Sequence, residues 1–209
     1  MSKYKITEIE HPKYPWLHRI QALIDVNEKV PEGTLGGFVE NENNLSQEGT
    51  CWIYDDAICC ENGEVKEEAA LYDGSLVRGY AVVTGDATFY DRAVAKRDCY
   101  ICGGEIKENA IISGKAFIDT VGVNAPVIGG ESHVYGEVRG NIYIKGDIFP
   151  WDIFNNHTKD MYGDGERVAG LCRYLDQDHA EINGVKWQMT EFAIQMQIRG
   201  ILFSPALTE

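Results

Sequence analysis

The sequence predicts an all-β solenoid, namely a parallel β-helix of about five to six triangular coils with an N-terminal cap and a small C-terminal α+β appendage. Three observations predict it. Small and apolar residues recur every six positions, several residue types recur every 18, and glycine is abundant at 22 of 209 residues. We therefore divide the chain into a cap at 1–48, a β-helix at 49–149 and a cap or docking module at 150–209.

The six-residue repeat starts at Gly49 and continues through nine unbroken hexads to Cys102. Its third position is always small, and the members are Cys51, Ala57, Gly63, Ala69, Ser75, Ala81, Ala87, Ala93 and Cys99. Its fifth position is always apolar, and the members are Ile53, Cys59, Val65, Leu71, Val77, Val83, Phe89, Ala95 and Ile101. A helix has a period of 3.6 residues and an uninterrupted strand a period of two, so the pattern indicates short strands joined by tight bends.

Three strands per coil would stack residues that are 18 apart. The predicted interior columns are Ile53–Leu71–Phe89, Val65–Val83–Ile101 and Cys59–Val77–Ala95. In the last column the small Ala95 shares a coil with the large Phe89, which close packing at constant volume requires. Tyr54, Tyr72 and Tyr90 also recur at 18, each followed by an acid, Asp55, Asp73 or Asp91. We expect an outward tyrosine ladder beside a column of carboxylates, with about 4.8 Å between coils.

The rhythm slips after Cys102. Residues 103–107 are one short of a hexad, and 120–129 fit poorly and include Pro126, so we interpret 120–129 as a bulge or loop that leaves the coil. In the cap, 36–40 predict a short strand. In the tail, Glu166–Leu175 predict a helix and Asn183-Gly184 predict a hairpin turn. The alternation at 192–198 favours a strand, and the length of this segment also allows a helix.

Composition limits the function. The formal charge of −14 argues against phosphate-mediated binding of nucleic acid, and no apolar run is long enough for a membrane span or a secretory signal. Of the six cysteines, Cys51 and Cys99 occupy small positions of the repeat and Cys59 an apolar one. Cys99-Tyr-Ile-Cys102 has no second pair, so we expect core thiols, no metal site and a cytoplasmic setting.

The repeat resembles the hexapeptide-repeat, left-handed parallel β-helix family, in which a small residue follows an aliphatic one by four places, as in Ile53–Ala57 and Val83–Ala87. Segments 17–26 and 35–57 resemble more specifically the acyltransferase-like (YdcK-like) β-helix proteins of bacteriophages and bacteria. The resemblance covers about residues 15–150 and implies a left-handed coil and frequent trimers.

The resemblance also implies an acyl-CoA-dependent acyl transfer, in which a histidine acts as general base beside a loop that leaves the coil, at a groove between subunits. Only His133 lies in the coil, directly after 120–129. The other histidines fall in the caps, and they are His11, His18, His157 and His179. The sequence reveals no acidic partner for His133 and no long projecting loop, so an acyltransferase using His133 is the alternative hypothesis.

The leading hypothesis is a non-catalytic, phage-type acidic protein without a cofactor, which engages and blocks a basic surface of a host protein, for example in a nucleic-acid-handling or defence system. Its predicted binding surface combines the aromatic area of the tyrosine ladder with the carboxylates beside it. These residues are Tyr54, Asp55, Tyr72, Asp73, Tyr90 and Asp91. A structural virion or surface module is a third hypothesis.

Overall fold

The structure, a computed structural model, describes residues 2–148 and the strand residues 153–154, 172–174, 179–182 and 185–188. It begins with an antiparallel hairpin whose second strand pairs with a third. These strands are β1 (Tyr4–Glu10), β2 (His18–Ala22) and β3 (Leu35–Val39). A short 3-10 helix at Glu42–Asn44 follows, and it is the only helical element in the described part of the chain.

The middle of the chain consists of very short strands separated by turns. They are β4 (Trp52–Ile53), β5 (Ile58–Cys59), β6 (Glu64–Val65), β7 (Ala70–Leu71), β8 (Leu76–Val77), β9 (Val82–Val83), β10 (Thr88–Phe89), β11 (Val94–Ala95), β12 (Tyr100–Ile101), β13 (Glu105–Ile106), β14 (Ile111–Ile112), β15 (Phe117–Asp119), β16 (Val127–Ile128), β17 (His133–Val134), β18 (Glu137–Arg139), β19 (Tyr143–Ile144) and β20 (Ile153–Phe154).

Every third strand pairs in parallel, so the chain winds into three sheets. Face 1 contains β4, β7, β10, β13, β16 and β19. Face 2 contains β3, β5, β8, β11, β14 and β17, with β2 and β1 beyond β3. Face 3 contains β6, β9, β12, β15, β18 and β20. The predicted parallel β-helix of about six coils is therefore confirmed.

The interior columns match the sequence prediction. Ile53 pairs with Leu71 and Leu71 with Phe89 on face 1, and the other two predicted columns lie on faces 2 and 3. Their side chains are fully buried. Because each large aliphatic or aromatic side chain contributes about 1.5–3 kcal/mol when buried, these columns form the main stabilising core.

Each bend places the residue that opens the hexad in the left-handed region of backbone space. All nine openers have positive φ, and they are Gly49, Asp55, Glu61, Glu67, Asp73, Gly79, Gly85, Asp91 and Arg97. Two positions later comes the small inward residue, whose N–H donates back across the turn, as from Ala57 to the carbonyl of Tyr54 at 3.0 Å. A larger side chain at this third position would fill the space where two sheets meet.

The coil is irregular where the sequence repeat is irregular. The step on face 1 shortens to 17 residues between Phe89 and Ile106 and lengthens to 22 between Ile106 and Ile128. The extra residues form a loop, 120–126, that leaves the corner between faces 3 and 1 and is closed by a bridge between Val121 and Asn124. The predicted loop is thus confirmed, but the coil resumes earlier than expected, at Val127, because its backbone pairs with Glu105.

Parallel stacking also reaches into the predicted N-terminal cap. The predicted strand at 36–40 is β3, which pairs with β5, and Leu45 bridges to Val65. Gly37 makes this possible, because a Cβ there would lie 2.4 Å from the carbonyl oxygen of Ala57. The first coil is therefore built partly from cap residues.

In the tail, three strands form an antiparallel sheet, and they are β21 (Cys172–Tyr174), β22 (His179–Ile182) and β23 (Val185–Gln188). The predicted hairpin is β22–β23. The predicted helix at Glu166–Leu175 is wrong at 172–174, where backbone pairing with β22 makes a strand. Its remaining residues, and the strand expected at 192–198, lie outside the described residues.

Candidate functional site

The tyrosine ladder exists on face 1, immediately after the strands. The rings of Tyr54 and Tyr72 stack with centroids 4.4 Å apart, and those of Tyr72 and Tyr90 with centroids 5.0 Å apart. Asn27 hydrogen-bonds the hydroxyl of Tyr54 at 3.2 Å. Burial is the largest cause that raises the pKa of Tyr54 and Tyr72. Because the rings cover one another's faces, mainly their edges and hydroxyls remain for contact with another molecule.

The neighbouring acids form a column at the corner between faces 1 and 2, where each carboxylate has a partner in the next coil. Asp55 Oδ2 accepts from the N–H of Asp73 at 3.2 Å, Asp73 Oδ2 from Asp91 at 3.0 Å, and Asp91 Oδ2 from Glu108 at 3.0 Å. These carboxylates therefore satisfy backbone donors of the coil itself. The assignment of the tyrosines and acids to a partner-binding surface stays a prediction.

His133 lies on the outer side of face 2, in β17, and it has an acidic neighbour that sequence reasoning missed. Its Nδ1 is 3.3 Å from Asp147 Oδ1, and the same oxygen accepts the backbone N–H of His133 at 2.9 Å. The imidazole is 40% exposed, whereas the Asp147 side chain is 5% exposed. A buried carboxylate thus orients a solvent-accessible imidazole, which is the arrangement of a general base.

The coil turn around this pair is shorter than its predecessors. Ile148 bridges in parallel to Val134, 14 residues earlier, which brings Asp147 against the start of β17. Ser132 stabilises the turn, because its hydroxyl donates to the Gly129 carbonyl at 2.5 Å and accepts the Gly146 N–H at 2.9 Å. A spacing of 18 residues therefore does not predict that Asp147 lies beside His133. The sequence feature that could have indicated it is an aspartate in the last corner of the shortened coil.

Tyr135 lies on the other side of β17 from the inward Val134 and completes the surroundings of the pair. Burial and then the Asp147 carboxylate raise the pKa of Tyr135, while Arg97 lowers it. The pKa of Tyr135 is therefore influenced both by Asp147, in the histidine site, and by Arg97, at the corner between faces 2 and 3.

An aliphatic row leads along the outer side of face 2 to His133. In the parallel register, Ile58 pairs with Leu76, Leu76 with Val94, Val94 with Ile111 and Ile111 with His133. All four aliphatic side chains are half-buried. The loop 120–126 leaves the corner opposite face 2, so it does not lie beside His133 of the same chain.

The described cysteines are free thiols, and they are Cys51, Cys59, Cys60, Cys99 and Cys102. Burial raises the pKa of Cys60 to about 11 and that of Cys99 to about 12, so neither is a reactive thiolate at neutral pH. Cys99 points inward and Cys102 is half-exposed. Within the described ranges, His, Cys, Asp and Glu side chains form no group that could hold a metal ion, and no helix is long and apolar enough to cross a membrane.

Comparison with protein-family models finds none that matches the chain. Among curated proteins, the chain is similar to the uncharacterized acetyltransferase YdcK of Escherichia coli (strain K12), with 28% identity over 117 residues. The match covers 52% of this chain and 32% of that protein, so the chain corresponds to about a third of its relative's length.

This comparison corrects the leading hypothesis. A non-catalytic phage-type protein that blocks a basic surface of a host protein is wrong, because the relative is an acetyltransferase by name and neither the fold nor the comparison supports a phage or host-defence role. The hydrogen bonds of the acid column also give its carboxylates a structural use that requires no basic partner.

Proposed function

We propose that this chain, whose resemblance to the acyltransferase-like hexapeptide-repeat β-helix proteins is confirmed by its fold and its relative, catalyses acyl transfer from an acyl-CoA with His133 as general base. The observation that carries the proposal is the pairing of a half-exposed His133 with the buried carboxylate of Asp147. Acyl-CoA enters here as the donor substrate.

In this proposal His133 and Asp147 have different roles. In the tautomer whose Nδ1–H donates to Asp147 Oδ1, the unprotonated nitrogen is Nε2, and the proposal gives Nε2 the role of base. As the acceptor hydroxyl or amine attacks the thioester carbonyl, Nε2 takes its proton. When the carbon–sulfur bond breaks, the imidazolium returns that proton to the departing thiolate, so the enzyme ends the cycle unchanged. Asp147 acts through His133 and is a positioning residue.

Assembly and location are part of the proposal. Copies associate as trimers, as the resemblance implies, and in the proposed arrangement face 2 is the contact surface, towards which the loop 120–126 of another copy extends. The exposed Val121 and Val123 at the loop's tip would cover apolar parts of the bound donor. The free thiols of the described cysteines favour the cytoplasm, where thiols stay reduced.

The test is release of free CoA from acetyl-CoA in the presence of a panel of hydroxyl and amine acceptors. His133→Ala should lower kcat at least about 100-fold, because positioned general bases contribute that much. Asp147→Asn should lower kcat about tenfold with an unchanged KM for acetyl-CoA, since the imidazole loses its orientation and not its place.

His18→Ala, in the cap strand β2 of the same sheet, is the matched control and should keep wild-type kcat. Turnover by His133→Ala at the wild-type rate would contradict the proposal. A circular dichroism spectrum and a thermal midpoint equal to those of the wild type should accompany both active-site variants.

A further inference from the structure

Three cations gather at the corner between faces 2 and 3 of a protein whose formal charge is −14. Arg78 and Lys96 follow β8 and β11, which are adjacent strands of face 2, and Arg97 follows Lys96 at the bend. They line a cleft of about 480 Å³. Tyr80, Gly79 and the acids Glu61 and Asp98 line it as well. Three positive side chains thus outnumber two negative ones in this cleft.

The cations are poorly compensated within the protein. The nearest carboxylate to Arg78 is that of Glu61 at 4.0 Å, and this carboxylate already accepts the N–H of Gly79 at 2.8 Å. Among the described residues, no carboxylate lies within ion-pair distance of Lys96 or Arg97. Burial, followed by the charges of Arg78 and Arg97, lowers the pKa of Lys96, which indicates that the three side chains repel one another.

The backbone N–H of Arg97 adds a donor to this cluster, because no acid precedes Arg97 by one coil. At the corner between faces 1 and 2, each opener N–H is bonded by the carboxylate of the coil before. At the corner between faces 2 and 3, Gly79 precedes Arg97 by one coil and has no side chain, so the N–H of Arg97 has no such acceptor within the described residues. The cleft therefore combines three cationic side chains with an unused N–H, which is the donor set of an anion site.

The cluster lies close to the catalytic pair. Val94 stacks with His133 two coils away through β11, β14 and β17, which corresponds to about 10 Å between these coils at about 4.8 Å per coil, and Lys96 lies two residues after Val94. Tyr135 directly follows β17, in the coil of His133, and its pKa is influenced by both Arg97 and Asp147. A substrate held at the cluster by an anionic group could therefore place its reacting atoms at His133.

We propose that Arg78, Lys96, Arg97 and the backbone N–H of Arg97 bind a phosphate group carried by a substrate whose reacting end reaches His133. Only the statement that the reacting end of the substrate reaches His133 rests on the proposed acyl transfer; the binding of phosphate does not. Phosphate suits the cluster, because arginine side chains and backbone N–H groups bind its oxygens through several parallel charge-assisted hydrogen bonds. The phosphate belongs either to the CoA donor or to a phosphorylated acceptor.

The test measures binding of inorganic pyrophosphate and of CoA to the full chain by isothermal titration calorimetry. Lys96→Gln and Arg97→Gln should each weaken pyrophosphate binding roughly tenfold, the loss expected for one charge-assisted bond. Asp98→Asn should strengthen it, since it removes a negative charge from the cleft. Lys66→Gln, which removes a lysine paired with Glu64 on face 3, is the control and should bind like the wild type.

The two sources of phosphate give different results with CoA. If the affinity for CoA falls together with that for pyrophosphate, the cluster holds the donor; if only pyrophosphate binding falls, it holds a phosphorylated acceptor. Wild-type affinities in Lys96→Gln and Arg97→Gln, or no binding of either probe to the wild type, overturn the inference. Pyrophosphate binding that persists while acetyl-CoA is never turned over refutes the acyltransferase proposal alone.

Discussion

The residue that opens each hexad is acidic in five of the nine hexads. It needs a left-handed backbone, which costs an ordinary side chain about 1–2 kcal/mol, and glycine avoids that cost. Asp55, Asp73, Asp91, Glu61 and Glu67 occupy it nevertheless, and each carboxylate bonds an N–H of the next coil. Acids are thus used at these bends because the bond offsets the strained backbone.

A pair of substitutions at Asp73 tests this balance. Asp73→Ala should lower the free energy of unfolding by about 2 kcal/mol, because the bond to Asp91 is lost while the left-handed backbone stays. Asp73→Gly loses the same bond but relieves the backbone, so its cost should be about 1 kcal/mol smaller. Urea denaturation measures both.

Glu68 offers the control for that pair, since it is an exposed acid at the second position of its hexad, directly after an opener. Glu68→Ala should change the free energy of unfolding by less than about 0.5 kcal/mol. An Asp73→Ala protein as stable as Asp73→Gly would contradict the argument.

Within one coil, a large side chain on one face is matched by a small side chain on the neighbouring face. Phe89 on face 1 and Ala95 on face 2 point into the same coil, and both are fully buried. Phe89→Ala should cost about 3–5 kcal/mol through the cavity it leaves, and Ala95→Leu alone about 1–3 kcal/mol through overpacking. The double variant should cost clearly less than the sum, because the leucine enters the vacated space.

A double-mutant cycle from urea denaturation measures this coupling. Phe89→Ala combined with Ile144→Val, three coils further along face 1, is the matched cycle and should be additive. Additive costs for Phe89→Ala and Ala95→Leu would show that the two faces do not share space.

The coil elements were predictable from sequence wherever the repeat was regular. Ile53, Leu71 and Phe89 stack because equal spacing and equal turns admit one register, and the same reasoning gave the tyrosine ladder. His133 and Asp147 were not predictable as a pair, because their coil closes after 14 residues and its register follows from the turn at Ser132. The edge-on exposure of the tyrosine rings was not predictable either, because residue spacing does not specify the orientation of a ring.

For the whole molecule, the outward side of face 2 bears on the proposed association of copies. Face 2 carries the row of half-exposed aliphatic side chains, Ile58, Leu76, Val94 and Ile111, whereas the corresponding row of face 3 mixes Glu64 with Val82 and Tyr100. A row of this kind favours contact with another copy, because association removes it from water.

Sedimentation velocity tests trimer formation. The wild type should sediment as a trimer at micromolar concentration, and Leu76→Glu should sediment as a monomer, because an uncompensated charge would lie in the interface. Val82→Glu, at the equivalent outward position of face 3, should remain trimeric. A monomeric wild type would refute association through face 2.

The carboxylates at the bends also favour folding of the coils in order from the N-terminus. Each acid belongs to the earlier coil and the N–H that it bonds belongs to the later one, as from Asp55 to Asp73 and from Asp73 to Asp91. During translation the N-terminal coils leave the ribosome first, so every newly emerging coil meets an edge whose acceptors are already in place. The nascent chain can therefore lengthen its folded part coil by coil while synthesis continues.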